Sequence, residues 1–224
     1  MKKNPLPAAL AACLLLSAPG VFAHGLWAES GEGGYKIFFG EAENNLREKK
    51  DKLGRFAAIR TWKADGTEGK VEIRDDHLFA AVGTAGLVAA NLDSPVREPK
   101  AGMGGAAGGS VKSFQYLRFA EDLEAPGKAA APLFLDILPD GKGSLKFTVT
   151  KGGRPLGKAQ VEVLAPTGWS RGFESGEDGK VELQAPWPGL YIVKTTWKDK
   201  TPGEFKGKKF ETASHAVTLS FVKP

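Results

Sequence analysis

Apolar and polar residues alternate along most of this chain in short runs bounded by Gly, Asp, Asn or Pro. That period of two predicts β-strands rather than helices. Tyr35-Lys36-Ile37-Phe38-Phe39, the stretch from Ala57 to Trp62 and Lys70-Val71-Glu72-Ile73 are such runs, and His77 to Val82 and Gly86 to Ala90 follow in the same style. Ala64-Asp65-Gly66 and Arg74-Asp75-Asp76 read as hairpin connections. Only Asn44 to Leu53 has a pattern suited to a short helix. Lys112 to Ala120 returns to strand character, with Tyr116 and Phe119 as its apolar anchors.

The C-terminal half repeats the alternation more clearly. Ser144 to Val149, Gln160 to Leu164, Lys180 to Leu183, Pro188 to Val193 and Ala216 to Phe221 are strand-like, with Gly152-Gly153 and Glu177-Asp178-Gly179 as turns. The reading is an all-β protein of two antiparallel β-sandwich domains, the C-terminal one immunoglobulin-like or prealbumin-like. The expected division is a signal peptide over 1–23, an N-terminal sandwich over 24–124, a linker with a first strand over 125–143, and the second sandwich over 144–224. Within the first domain, the Gly-rich stretch 95–110 has too few apolar side chains to order itself and reads as a mobile loop.

Composition changes the picture at the N-terminus. Lys2-Lys3, an apolar run from Leu6 to Ala18 and the small-residue site Val21-Phe22-Ala23 form the three-part pattern of a cleaved secretory signal, too short for a membrane anchor. A rival site, Leu10-Ala11-Ala12-Cys13, matches lipoprotein processing, but the apolar run continues past Cys13 where a lipoprotein turns polar. Cleavage after Ala23 removes the only cysteine, and with it thiolate metal sites and cysteine nucleophiles. It also lowers the net charge from +5 to +3, since 29 Lys and Arg then face 26 Asp and Glu. These charges are interspersed, which argues against nucleic-acid binding, and the mature chain reads as a soluble periplasmic protein.

The same cleavage would make His24 the first residue, its α-amine beside its own imidazole Nδ1. Those two nitrogens can chelate one transition-metal ion, a pair that no internal histidine offers. The other two histidines, His77 and His215, are the candidate partners, and Glu41 is the nearest acidic one. His77 follows an acidic turn, and His215 lies on the same strand face as Val217, Leu219 and Phe221. An amine, imidazoles and a carboxylate suit Cu(II) or Ni(II), and also accept Co(II) or Zn(II). No nucleophile-elbow Gly-x-Ser-x-Gly and no phosphate-cradling P-loop occurs, so no catalytic set is assigned.

Five segments resemble a bacterial periplasmic family described as a domain of unknown function or as nickel/cobalt-uptake-associated proteins. They are Ala23-His24-Gly25-Leu26-Trp27, Phe38-Phe39-Gly40-Glu41-Ala42-Glu43, Asp76-His77-Leu78, Tyr116-Leu117-Arg118-Phe119-Ala120 and Ser214-His215-Ala216-Val217-Thr218-Leu219. The resemblance implies a two-part β-sandwich that handles a transition metal in the periplasm and delivers it to an inner-membrane transporter. His24 and His77 match recurring positions, and His215 does so more loosely. The chain departs from the pattern at Leu92-Asp93-Ser94, where aromatic residues are expected.

Three readings follow. The first is a binding protein that holds nickel, cobalt or copper through His24, one or two further histidines and Glu41. The second is a copper monooxygenase of the histidine-brace type, in which His77 or His215 faces His24. The third is a structural β-protein with no metal site.

Overall fold

The computed structural model describes residues 24–63, 65–83, 86–98, 109–120, 123 and 133–224. The expected signal peptide over 1–23 with Cys13, most of the Gly-rich stretch and all of the 125–132 joint lie outside the described residues. Eight strands form the first half: β1 (Gly25–Gly31), β2 (Gly34–Glu41), β3 (Leu46–Arg47), β4 (Arg60–Trp62), β5 (Glu68–Ile73), β6 (Leu78–Ala81), β7 (Leu87–Asn91) and β8 (Val111–Phe119). The second half contains β9 (Leu135–Pro139), β10 (Lys146–Lys151), β11 (Arg154–Pro155), β12 (Gln160–Leu164), β13 (Ser170–Glu174) and β14 (Lys180–Glu182). It continues with β15 (Gly189–Asp199), the small hairpin β16 (Gly203–Phe205) and β17 (Lys208–Phe210), and the long β18 (Thr212–Lys223). The protein is all-β, with one short helix, α1 (Lys50–Leu53).

Twelve strands make one sheet in the order β1-β2-β6-β5-β4-β7-β8-β18-β15-β12-β13, with β3 added beside β2. The boundary expected near residue 124 is therefore not a break in the sheet. The two halves join where β8 pairs with β18 from Val111↔Thr212 to Phe119↔Ser220. That pairing is parallel, unlike the antiparallel ladders expected throughout. Strands from distant parts of a chain are free of the geometry that a tight hairpin imposes.

The sheet curls so that β1 lies back across β8 and β18. Thr218 Oγ1 donates to Leu26 O at 2.7 Å, and Ala28 N donates to Ser220 Oγ at 3.1 Å. Side chains thus satisfy backbone groups on β1 that no strand pairs. Inside the curl, alternate residues of β1, β2, β6, β7 and β8 pack around Tyr35, Ile37, Phe39, Phe56, Leu78 and Leu117. A second sheet of β9, β10, β11 and β14 covers the opposite face of the C-terminal strands, burying Ile137, Phe147, Val149, Val163, Tyr191 and Leu219 in a sandwich-like core.

Two local expectations are corrected. The predicted helix over Asn44 to Leu53 is helical only from Lys50, because Ala42–Asn44 forms a 3-10 turn that Asn45 ends in the left-handed region at φ 50°, and β3 follows. The predicted strand over 57–62 begins only at Arg60, because a second 3-10 turn, Gly54–Phe56, tucks Phe56 into the core and a further turn precedes β4.

Candidate metal centre at His24

His24 immediately precedes β1, and the antiparallel register Gly25↔Gly40 places it across from Glu41 at the end of β2. On the other side of β2, the ladder Gly40↔Arg47 is continued by the bond from Glu48 N to Phe39 O at 2.9 Å. The strand β2 thus lies between the segments that carry His24 and Glu48. The His24 ring rests 5.5 Å from the Phe39 ring, which packs on Phe56 below it. His24 Nε2 is 2.9 Å from Glu48 Oε1, and Nδ1 is 3.2 Å from Glu41 Oε1. Asn44 Nδ2 donates to the other Glu41 oxygen at 2.9 Å, which holds that carboxylate in place.

This arrangement has a definite chemical character. A neutral imidazole donates a proton through one nitrogen only. If Nε2–H is given to Glu48, the Nδ1 lone pair faces an anionic oxygen. A positive species at Nδ1, either a proton or a metal ion, relieves that opposition. Glu41 and Glu48 stand at opposite nitrogens, so the three side chains do not converge on one point. In keeping with this, no cluster of three or more His, Cys, Asp or Glu suited to a metal ion occurs among the described residues. The processed α-amine of His24 would be the further donor needed to complete such a site.

The other two histidines stand elsewhere. His77 begins the approach to β6 and packs its ring on Phe38, 5.6 Å away. Phe38 and Phe39 are neighbours on β2 and project to opposite faces, so His77 and His24 lie on opposite sides of the sheet. Asp76 Oδ1 lies 2.7 Å from His77 Nδ1, while the buried Nε2 has no hydrogen-bond partner. That contact holds the Asp76 carboxyl below its usual range against the opposing effect of burial.

His215 points into the sandwich core from β18, whereas Thr218 and Ser220 on the other face of that strand reach β1. Phe114 stacks on its ring at 4.7 Å, and Phe134 and Trp197 close around it at 4.5 and 5.6 Å. Tyr116 Oη and His215 Nδ1 are 3.0 Å apart. Burial lowers the imidazole pKa; Asp199 acts against that and Lys151 adds to it. Burial also raises the Tyr116 phenol, so its hydroxyl stays protonated beside the imidazole.

Of the four ligands expected from sequence, the fold therefore brings His24 and Glu41 together, and it places His77 and His215 on separate faces with partners of their own. A histidine brace requires a second histidine facing the first, and neither candidate does so. Glu48 and Asn44 were not anticipated as members of the site. Comparison of the chain with protein-family models, with characterised proteins and with solved structures gives no match.

Proposed function

We propose that the protein, once processed to begin at His24, is a periplasmic transition-metal-binding protein that takes part in nickel, cobalt or copper uptake or handling. The ion is held by the His24 α-amine and Nδ1, with Glu41 as a third donor. A transporter in the inner membrane is the partner that this role and the family resemblance imply. The observation that carries the reading is the bracketing of one imidazole by two carboxylates. Glu48 on Nε2 fixes the tautomer that leaves Nδ1 as a metal donor, a role that carboxylates and carbonyls commonly play behind metal-bound histidines. Glu41 Oε1, 3.2 Å from Nδ1, is spaced as adjacent ligands are when each bond is about 2.0–2.2 Å. Nitrogen and oxygen donors without sulfur suit divalent nickel, cobalt or copper.

Calorimetric titration of correctly processed protein with Ni(II), Co(II) and Cu(II) tests this. One equivalent should bind, and His24→Ala should abolish it. Removing the outer carboxylate with Glu48→Ala should weaken binding about 10–100-fold, the usual cost of losing such a partner. Affinity should fall with pH as protons compete for the amine and imidazole. Equal binding by protein that retains a residue before His24 would sink the chelate, because its amine is then locked in a peptide bond.

A further inference from the structure

On the face of β1 and β2 opposite His24 lies a cleft of about 500 Å³, within the size range of small-molecule sites. One wall is the N-terminal sheet with the excursion from Ala42 to Arg47. The other is the turn Ala165 to Gly168 that follows β12, together with the start of β15. Beneath it, Trp27, Phe38, Leu164 and Ile192 form a separate small apolar cluster, with Leu190 and Ala42 packed against it. Apolar side chains from both halves of the protein thus meet in the floor of this cleft.

The charges around it are unequal. Arg47 lies over the Phe38 ring at 3.9 Å and donates from Nη2 to Glu29 Oε1 at 2.9 Å. The same Glu29 oxygen accepts the Trp27 indole N–H at 3.4 Å. Arg47 and Glu29 therefore neutralise each other. Glu43, half-buried in the 3-10 turn at the rim, has no hydrogen-bond or ion-pair partner among the described residues. No lysine lines the cleft among the described residues. What remains is one unbalanced carboxylate above an apolar floor.

We infer that this cleft binds a small organic cation with an apolar body, its ammonium group against Glu43 and its hydrocarbon part over Trp27 and Ile192. Charge complementarity selects a cation, since an anion would meet Glu43, while Arg47, the guanidinium of the described lining, already bonds Glu29 through Nη2 and keeps its unpartnered Nε buried out of reach. The floor selects an apolar body, because a fully hydrated cation gains nothing by displacing water from Leu190 and Ile192. Glu43 is not a member of the His24 site, so this cleft stands or falls independently of metal binding.

The test is titration of metal-free protein with n-hexylammonium, n-hexanol and hexanoate, followed by NMR at the Trp27 indole N–H and the Ile192 and Leu190 methyl groups. Hexylammonium should shift these signals together and bind about two- to fivefold more tightly than hexanol, the range expected of one partly exposed ion pair. Hexanoate should bind more weakly than hexanol. Glu43→Gln should erase the ranking while leaving the spectrum of the free protein otherwise unchanged, and added salt should compress it. Equal affinities for the cation and the anion, a ranking that survives Glu43→Gln, or shifts confined to other residues would each overturn the inference.

Discussion

His215 shows how one residue can carry a property of the whole fold. It lies among four aromatic rings with Tyr116 Oη against its Nδ1, and this burial holds the folded imidazole below its ordinary pKa. The unfolded chain takes up a proton near the ordinary imidazole value of about 6.5, whereas the folded chain does so only at lower pH. Over that window the unfolded state binds more protons, so stability must fall as the solution is acidified and then level off. Urea unfolding between pH 7 and 5 should show this decline, and His215→Phe should remove most of it. An unchanged decline in the variant would assign the effect to other groups. The position of this residue was legible from sequence, because alternation through Val217, Leu219 and Phe221 puts residue 215 on the inner face. Its partners were not, since Phe114 and Trp197 arrive from β8 and β15 and Phe134 from the bend before β9, and no local pattern encodes their approach.

At the scale of the element, the short segment from Glu41 to Glu48 separates the two candidate sites while serving both. Glu41, Asn44 and Glu48 serve His24 on one face; Glu43 and Arg47 border the cleft on the other. This alternation depends on β3 pairing closely with β2, and Gly40 permits that closeness. A Cβ on Gly40, which sits at φ +153°, would stand 2.0 Å from Leu46 O. Gly40→Ala should therefore push β3 away, cost about 1–3 kcal/mol as overpacking does, and weaken the proposed metal binding as is expected of Glu48→Ala. Chemical denaturation and calorimetry on the same variant check both. Glu48 escaped notice because residues 44–53 suit a helix by composition, whereas the chain spends them on a turn, a two-residue strand and one helical turn. Only the register of β2, a long-range property, could have revealed it. β1 is hidden for a different reason: Leu26, Trp27 and Ala28 are all buried, because both faces of the strand are covered, and so it carries no period-two alternation.

For the molecule as a whole, the all-β class was legible because period-two alternation is local and recurs in both halves. The continuous sheet was not, because β8 and β18 share no turn that could announce their pairing. A second link crosses the same boundary. Arg118 on β8 meets Asp136 on β9 as a two-pronged ion pair, Nε to Oδ1 at 3.0 Å and Nη2 to Oδ2 at 2.6 Å, with Ile137 N adding a bond to Oδ1 at 2.9 Å. Both side chains are about 5% exposed, so removing one leaves the other charged and out of water. Asp136→Ala should cost about 3–5 kcal/mol, while the double change Arg118→Met with Asp136→Leu should cost much less. A small effect of Asp136→Ala on the denaturation midpoint would show that water reaches the orphaned guanidinium.

The parallel pairing of β8 with β18 also fixes an order of events in time. The two strands are about a hundred residues apart in sequence. Ribosomes add about 5–20 residues per second, so β8 must wait on the order of 5–20 s after its own synthesis before its neighbour exists. During that interval its free edge, flanked by Tyr116, Leu117 and Phe119, is open to any strand that comes near. A chain built this way gains from a holdase, or from prompt passage through a narrow channel, until its final strand arrives.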